Sequence, residues 1–169
     1  YVNYFIRPGA RHIAAVTANM DVQNRTKLIA KSQTVEFSSI VGIIKRTQSA
    51  VFGGLYAYSG ANTIYRKEAL IDVGGFRQDR ATEDISIAWD HQLNDWVSVF
   101  APGIIFFMEV PVTLKMLYRQ RKRWAKGGTE VWLTNFKKVM LHPFKHIGRT
   151  IIFIDQTLSI VGQYSFVFP

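Results

Sequence analysis

The sequence predicts an α/β fold. Three observations carry that expectation. Short runs rich in β-branched and aromatic residues alternate with longer stretches of helical period. Glycine and proline pairs punctuate the alternation, at Pro8-Gly9, Gly53-Gly54, Gly74-Gly75 and Pro102-Gly103. No repeat or low-complexity segment interrupts it. The 169 residues suffice for one domain.

Taken in order, residues 1–6 read as the tail of a helix that Pro8-Gly9 ends. Residues 12–17 read as a strand, because Ile13, Val16 and Thr17 favour extended backbone. Residues 21–25 are polar and turn-like. Residues 26–49 have helical period, with Leu28, Ile29, Val35, Ile40, Ile43 and Ile44 on apolar faces. Lys27, Lys31, Lys45 and Arg46 fall on the polar ones. Gly53-Gly54 ends that pattern. Ser59-Gly60 leads into a short strand over residues 62–65, and a helix over 67–73 stops at Gly74-Gly75. Thr82 reads as the cap of a helix over residues 83–93. Residues 97–100 and 104–109 read as two strands around the Pro102-Gly103 turn. Thr113 caps a helix through residue 126. Gly127-Gly128 interrupts it, and residues 130–140 resume it.

The end of the chain differs. Residues 151–168 are mostly apolar, broken by Asp155, Gln156 and Gln163, and Lys137, Lys138, Lys145 and Arg149 precede them. This composition suits the start of a transmembrane or interfacial helix with a cytoplasmic basic flank; the alternative is a buried helix. The expected division is a globular part over 1–144 and a membrane-associated part over 145–169.

Lys and Arg total 21 against 12 for Asp and Glu, a net charge of +9. Such an excess suits an anionic partner: nucleic acid, a membrane surface or a phosphorylated substrate. The basic residues are scattered and no nucleic-acid recognition motif appears, so no nucleic acid is expected as partner. A basic membrane- or nucleic-acid-binding module remains the alternative of another class. The absence of cysteine excludes a disulfide scaffold and a thiolate metal site.

Three constellations could carry chemistry. In Thr82-Glu83-Asp84 both acids fall in the first turn of a helix, where the dipole favours negative charge. An Asp so held can accept a proton from a hydroxyl; the same acids could be ordinary end-of-helix charges. In Gln120-Arg121-Lys122-Arg123-Trp124, helical spacing puts Gln120 beside Arg123 and Trp124 and turns Arg121 and Lys122 elsewhere. That face joins an amide, a phosphate-matching fork and a flat ring that can cover a sugar. An interfacial helix with a core tryptophan would show the same pattern. Ser59-Gly60-Ala61-Asn62, followed by Arg66-Lys67, allows close approach of backbone to a ligand, and equally makes a tight turn.

These three motifs, in this order, resemble the processive family 2 glycosyltransferases, which include cellulose, chitin, hyaluronan and poly-N-acetylglucosamine synthases. Residues 36–42, Glu36-Phe37-Ser38-Ser39-Ile40-Val41-Gly42, and residues 118–128 around Gln120 to Trp124 resemble the bacterial poly-β-1,6-N-acetylglucosamine synthases in particular. The resemblance implies a GT-A type fold, here its carboxy-terminal part, with the catalytic portion facing the cytoplasm at the cell membrane. It implies an inverting hexosyltransferase acting on UDP-N-acetylglucosamine and a growing polysaccharide, with membrane lipids and a small membrane accessory subunit as further partners. Hyaluronan, chitin or cellulose synthase-like enzymes are the nearest alternatives. On this resemblance Asp84 is the catalytic base, supported by Thr82 and Glu83. Gln120 and Arg123 hold the diphosphate. Trp124, Ser59, Gly60 and Asn62 form the acceptor site. A divalent cation, Mg²⁺ or Mn²⁺, is implied, with ligands upstream of Tyr1 and none in this chain. The chain alone is expected to be inactive.

Overall fold

A computed structural model describes residues 1–167, apart from the side chains of residues 39, 40, 166 and 167. A mixed three-stranded sheet lies at the centre, in the order β2 (Thr63–Tyr65), β1 (Ile13–Val22), β3 (Val97–Met108). β1 pairs antiparallel with β2, Val16 opposite Ile64, and parallel with β3, Val16 opposite Val99. Residues 14–18 of β1 are all buried, as the middle strand of a covered sheet requires.

Two strand expectations change. β1 runs on through Asp21, which was read as turn. The Asp21 carboxylate accepts the Val22 N–H at 2.8 Å and pairs with Arg25, so the chain turns only after Val22. Residues 97–100 and 104–109 form one strand, not two. The register steps from Ala18 opposite Ala101 to Asn19 opposite Ile105, so Pro102, Gly103 and Ile104 are absorbed as a bulge.

The helices are α1 (Val2–Ile6), α2 (Leu28–Val35), α3 (Gly42–Thr47), α4 (Lys67–Asp72), α5 (Glu83–Leu93), α6 (Leu114–Met140) and α7 (Ile147–Val167). The expected helix over 26–49 is present as α2 and α3, joined and followed by wider π-helical turns at Glu36–Val41 and Gln48–Phe52. Gly53 ends the run at φ 64°, a conformation that favours glycine.

Two further readings are corrected, and one agrees with the structure. Thr82 precedes α5 but its side chain makes no capping bond; it is buried against α6 instead. Thr113 does cap α6, its Oγ1 accepting the Met116 N–H at 3.3 Å. Gly127-Gly128 does not interrupt α6, which is one helix of 27 residues. A Cβ on Gly127 would lie 2.1 Å from Thr82 Oγ1, and the Gly128 carbonyl accepts from buried Gln156 of α7 at 3.2 Å. The pair is where α6 is pinched between the start of α5 and α7.

α7 is amphipathic. Ile152 and Phe153 join Trp89, Val131 and Val139 in one core cluster, with Trp132 stacked on Phe153 at 5.5 Å. The polar exceptions in the apolar run turn inward. Asp155 accepts from Gln48 at 2.5 Å, and Gln156 is buried. Arg149 donates to the last turn of α5 at Gln92 O, 2.5 Å, and to Asp95 at 2.8 Å. No helix among the described residues is long and apolar enough to cross a membrane.

Candidate active site

One cavity of about 760 Å³ opens between α2–α3, the loop after Gly53, the start of α5, and α6 and α7. The bulged β1–β3 pair and the π-helical turn at Glu36–Val41 set its floor and one wall. Wide turns of this kind recur at functional sites.

The Ser59-Gly60 turn and the Glu83-Asp84 turn meet here. A Cβ on Gly60 would lie 3.3 Å from Glu83 Oε1, so the two segments are in direct contact. Both line the cavity. The Asp84 carboxylate accepts the Ile85 N–H at 3.0 Å and is hydrogen-bonded by the Gly60 backbone. Burial raises its pKa above the ordinary carboxylate range, and the neighbouring Glu83 charge raises it further. The two backbone bonds and the charge of Lys45 oppose that rise. Thr82 is buried behind the acids, and its Oγ1 has no partner.

Gln120, Arg123 and Trp124 of α6 also line the cavity, on the face that helical spacing predicts. Gln120 Oε1 is buried without a partner, so it offers an acceptor to whatever enters. Arg123 is exposed. Trp124 is half-buried, held edge-on by Phe37 at 6.3 Å, with the Arg121 guanidinium 4.8 Å from its centroid. It is thus both packed against the core cluster around Val22 and Phe37 and present in the cavity wall.

Asn62 is placed differently from Ser59 and Gly60. It is absent from the lining, and its amide is spent on β1, donating to Ala18 O at 3.1 Å and Asn19 O at 3.3 Å. Arg66 is likewise engaged with backbone, donating to Ile13 O at 2.8 Å and Ala10 O at 2.9 Å. Both hold the strand that carries the loop.

Sequence reasoning missed several lining residues. Arg121, expected to point away, reaches the cavity and forms a two-pronged ion pair with Glu36, 2.5 Å for Nη1 to Oε1. Lys45, expected in solvent, is buried in the wall. Gln163 brings α7 into the site, and its Oε1 is also unpartnered. The signal was available: Gln33, Phe37, Val41 and Lys45 recur every four residues along one stripe. No cluster of three or more His, Cys, Asp or Glu among the described residues could hold a metal ion. The residues present therefore do not make a metal site.

Residues 1–168 match the Glycosyl transferase family group 2. The chain belongs to this family. It is 38% identical over 152 residues to a poly-β-1,6-N-acetyl-D-glucosamine synthase of Staphylococcus epidermidis, covering 90% of this chain and 36% of that protein. It is 35% identical over 164 residues to the synthase of the same name from Staphylococcus aureus strain COL, covering 95% of this chain and 39% of that protein. The chain thus spans little more than a third of these relatives' length. Among solved structures, a mannosyltransferase from Pyrobaculum calidifontis in complex with GDP-Man and Mn²⁺ superposes with a TM-score of 0.60 at 13% identity, over 99% of this chain and 45% of that one. The fold is therefore GT-A-like with a mixed sheet.

Proposed function

We propose that this chain is the acceptor-side part of a membrane-bound synthase. The enzyme transfers N-acetylglucosamine from UDP-N-acetylglucosamine to a growing poly-β-1,6-N-acetylglucosamine, an exopolysaccharide of biofilms. The convergence of Asp84 with Gln120, Arg123 and Trp124 on one cavity supports this reading. The identity to the staphylococcal synthases supports the sugar and the polymer.

The chemistry follows from the placement. The acceptor hydroxyl gives its proton to the Asp84 carboxylate while its oxygen bonds the anomeric carbon. The bond from that carbon to the diphosphate oxygen breaks, with inversion, and UDP departs. Arg123 and Gln120 meet the growing negative charge, an electrostatic stabilisation of the leaving group. Trp124 covers the apolar face of the terminal acceptor sugar, and Ser59 and Gly60 shape the space beside it. Thr82 and Glu83 support Asp84. The mannosyltransferase with Mn²⁺ supports a divalent cation in the whole enzyme, held by residues outside this chain. The exposed apolar face of α7 and its basic flank support attachment to the cytoplasmic face of a membrane, where a small accessory subunit is a further partner.

Polymer formation by the full-length enzyme tests this reading. UDP-N-acetylglucosamine should be used in preference to UDP-glucose and UDP-glucuronate. Asp84→Asn should keep UDP affinity and lose on the order of 10²–10⁴ in rate, the usual scale of general-base catalysis. Wild-type turnover by Asp84→Asn would remove the base, and preference for another sugar would overturn the donor.

A further inference from the structure

Lys45 is the only lysine buried among the described residues, 6% exposed on α3, and it lines the cavity together with Asp84. No hydrogen bond or ion pair to its ammonium is present among those residues. Taking an ammonium out of water costs several kcal/mol, and packing alone gives no reason to retain one. The remaining reason is a charge that the site uses.

We infer that Lys45 is a positioning residue, whose buried ammonium keeps the neighbouring Asp84 carboxylate ionised and ready to accept a proton. The inference rests on the reading of Asp84 as base. Asp84 meets two influences that favour its neutral form, burial and the charge of Glu83 beside it. A carboxyl that stays protonated cannot take the acceptor's proton. The positive charge of Lys45 opposes that neutralisation. The coupling is mutual. Burial lowers the Lys45 pKa to about 8, and the charge of Asp84 limits that fall. The other charged or titratable groups around the cavity do not duplicate this role. Arg121 is committed to Glu36. Arg123 is exposed on α6. Burial holds the Tyr56 hydroxyl above its ordinary range, with Asp155 beyond it, and Tyr65 is shifted in the same direction. Between the onset of Asp84 ionisation and about pH 8, one cavity therefore holds both a carboxylate and an ammonium.

Three substitutions in the full-length enzyme test the inference: Lys45→Met, Lys45→Arg and Asp84→Asn. Transfer from whichever UDP-sugar the wild type uses is measured as kcat/KM against pH, with UDP affinity and melting temperature on the same preparations. Lys45→Met keeps the stem and removes a buried charge, so it should melt no lower than wild type. Its acid limb should move up by on the order of one pH unit, the effect of losing a nearby opposite charge. Its UDP affinity should be unchanged. Lys45→Arg should keep the acid limb where the wild type has it, because guanidinium supplies the same positive charge across the whole pH range. An unmoved acid limb in Lys45→Met overturns the inference. So does weakened UDP binding with unmoved limbs, which would make Lys45 a phosphate ligand. A lowered melting temperature with activity lost in proportion would make it structural and also overturns it. Activity retained by Asp84→Asn would fail the base reading itself. An inactive Asp84→Asn beside unmoved limbs in both Lys45 variants fails this inference alone.

Discussion

Arg121 and Arg123 stand two residues apart on one helix and are held differently. Arg123 is exposed at the cavity, whereas Arg121 is clamped by both oxygens of Glu36 and lies against the Trp124 ring. The Glu36–Arg121 pair therefore fixes the indole, and through it, on the proposed function, the platform for the acceptor sugar. Glu36→Gln keeps the volume and halves the charge-assisted pairing, an interaction worth about 1.5–3 kcal/mol. It should reduce chain extension roughly tenfold while leaving UDP affinity within about twofold, since 1.4 kcal/mol corresponds to a factor of ten. Product length and UDP titration on the same variant check this. Loss of UDP affinity with normal extension would instead place Arg121 at the diphosphate. At this scale the motif residues were legible. Asp84, Gln120, Arg123 and Trp124 stand out through the resemblance of their ordered motifs to the family, and the structure brings them to one cavity. Lys45 and Glu36 were not legible as site residues, because a charge on a helix is ordinarily solvated and the partner of Glu36, Arg121, lies 85 residues away in sequence.

Helices and strands show what local pattern reading misses. Helix starts and stops were readable at Thr113, Gly53 and Gly74-Gly75, where capping and backbone chemistry act within a few residues. The Gly127-Gly128 pair and the Pro102-Gly103 pair were misread for the same reason. Each looks like a break locally, and each is held in its element by a neighbour that local sequence cannot reveal. Parallel pairing with β1 carries β3 through the bulge. Close contact with Thr82 and α7 accounts for both glycines of α6. Gly127→Ala tests that account. In an exposed helix the change would stabilise by about 1 kcal/mol. Here the new Cβ would meet Thr82 Oγ1 at 2.1 Å and Cγ2 at 2.5 Å, so α6 must shift from the start of α5. The expected outcome is destabilisation of about 1–3 kcal/mol, typical of overpacking, with activity reduced by displacement of Asp84 from Arg123. Thr82→Ala in the same protein removes both atoms and should restore part of the stability. A Gly127→Ala protein as stable and active as wild type would mean the helices can separate freely there.

The whole molecule has one side left apolar. Along α7, Ile147, Ile151, Ile154, Leu158 and Val161 form a stripe opposite the face that packs on the core, with exposures from 41% to 65%. Phe144 just before it is 89% exposed, and Lys137 and Lys145 flank the same end in solvent. The chain carries a net charge of +9. An apolar stripe with a basic flank matches an anionic lipid surface: on the proposed membrane attachment, the side chains would enter the headgroup boundary and the lysines would meet the phosphates. The inward turn of Asp155, Gln156 and Gln163 fits a helix lying in that plane with its other face on the protein. Each fully buried Ile or Leu contributes about 1.5–3 kcal/mol, and partial burial in the boundary gives a fraction of that. Ile154→Lys with Leu158→Lys adds two positive charges while removing apolar contact, so charge and burial are pulled in opposite directions. If burial dominates, binding of the purified chain to vesicles with 30% anionic lipid should fall by about tenfold or more, against the added attraction of roughly 1 kcal/mol per lysine. Melting temperature should not change, since neither side chain is in the core. Wild-type binding should weaken with salt and be slight on neutral vesicles. Equal or tighter binding by the double variant would show that charge alone brings the chain to lipid, and that the α7 stripe faces protein instead.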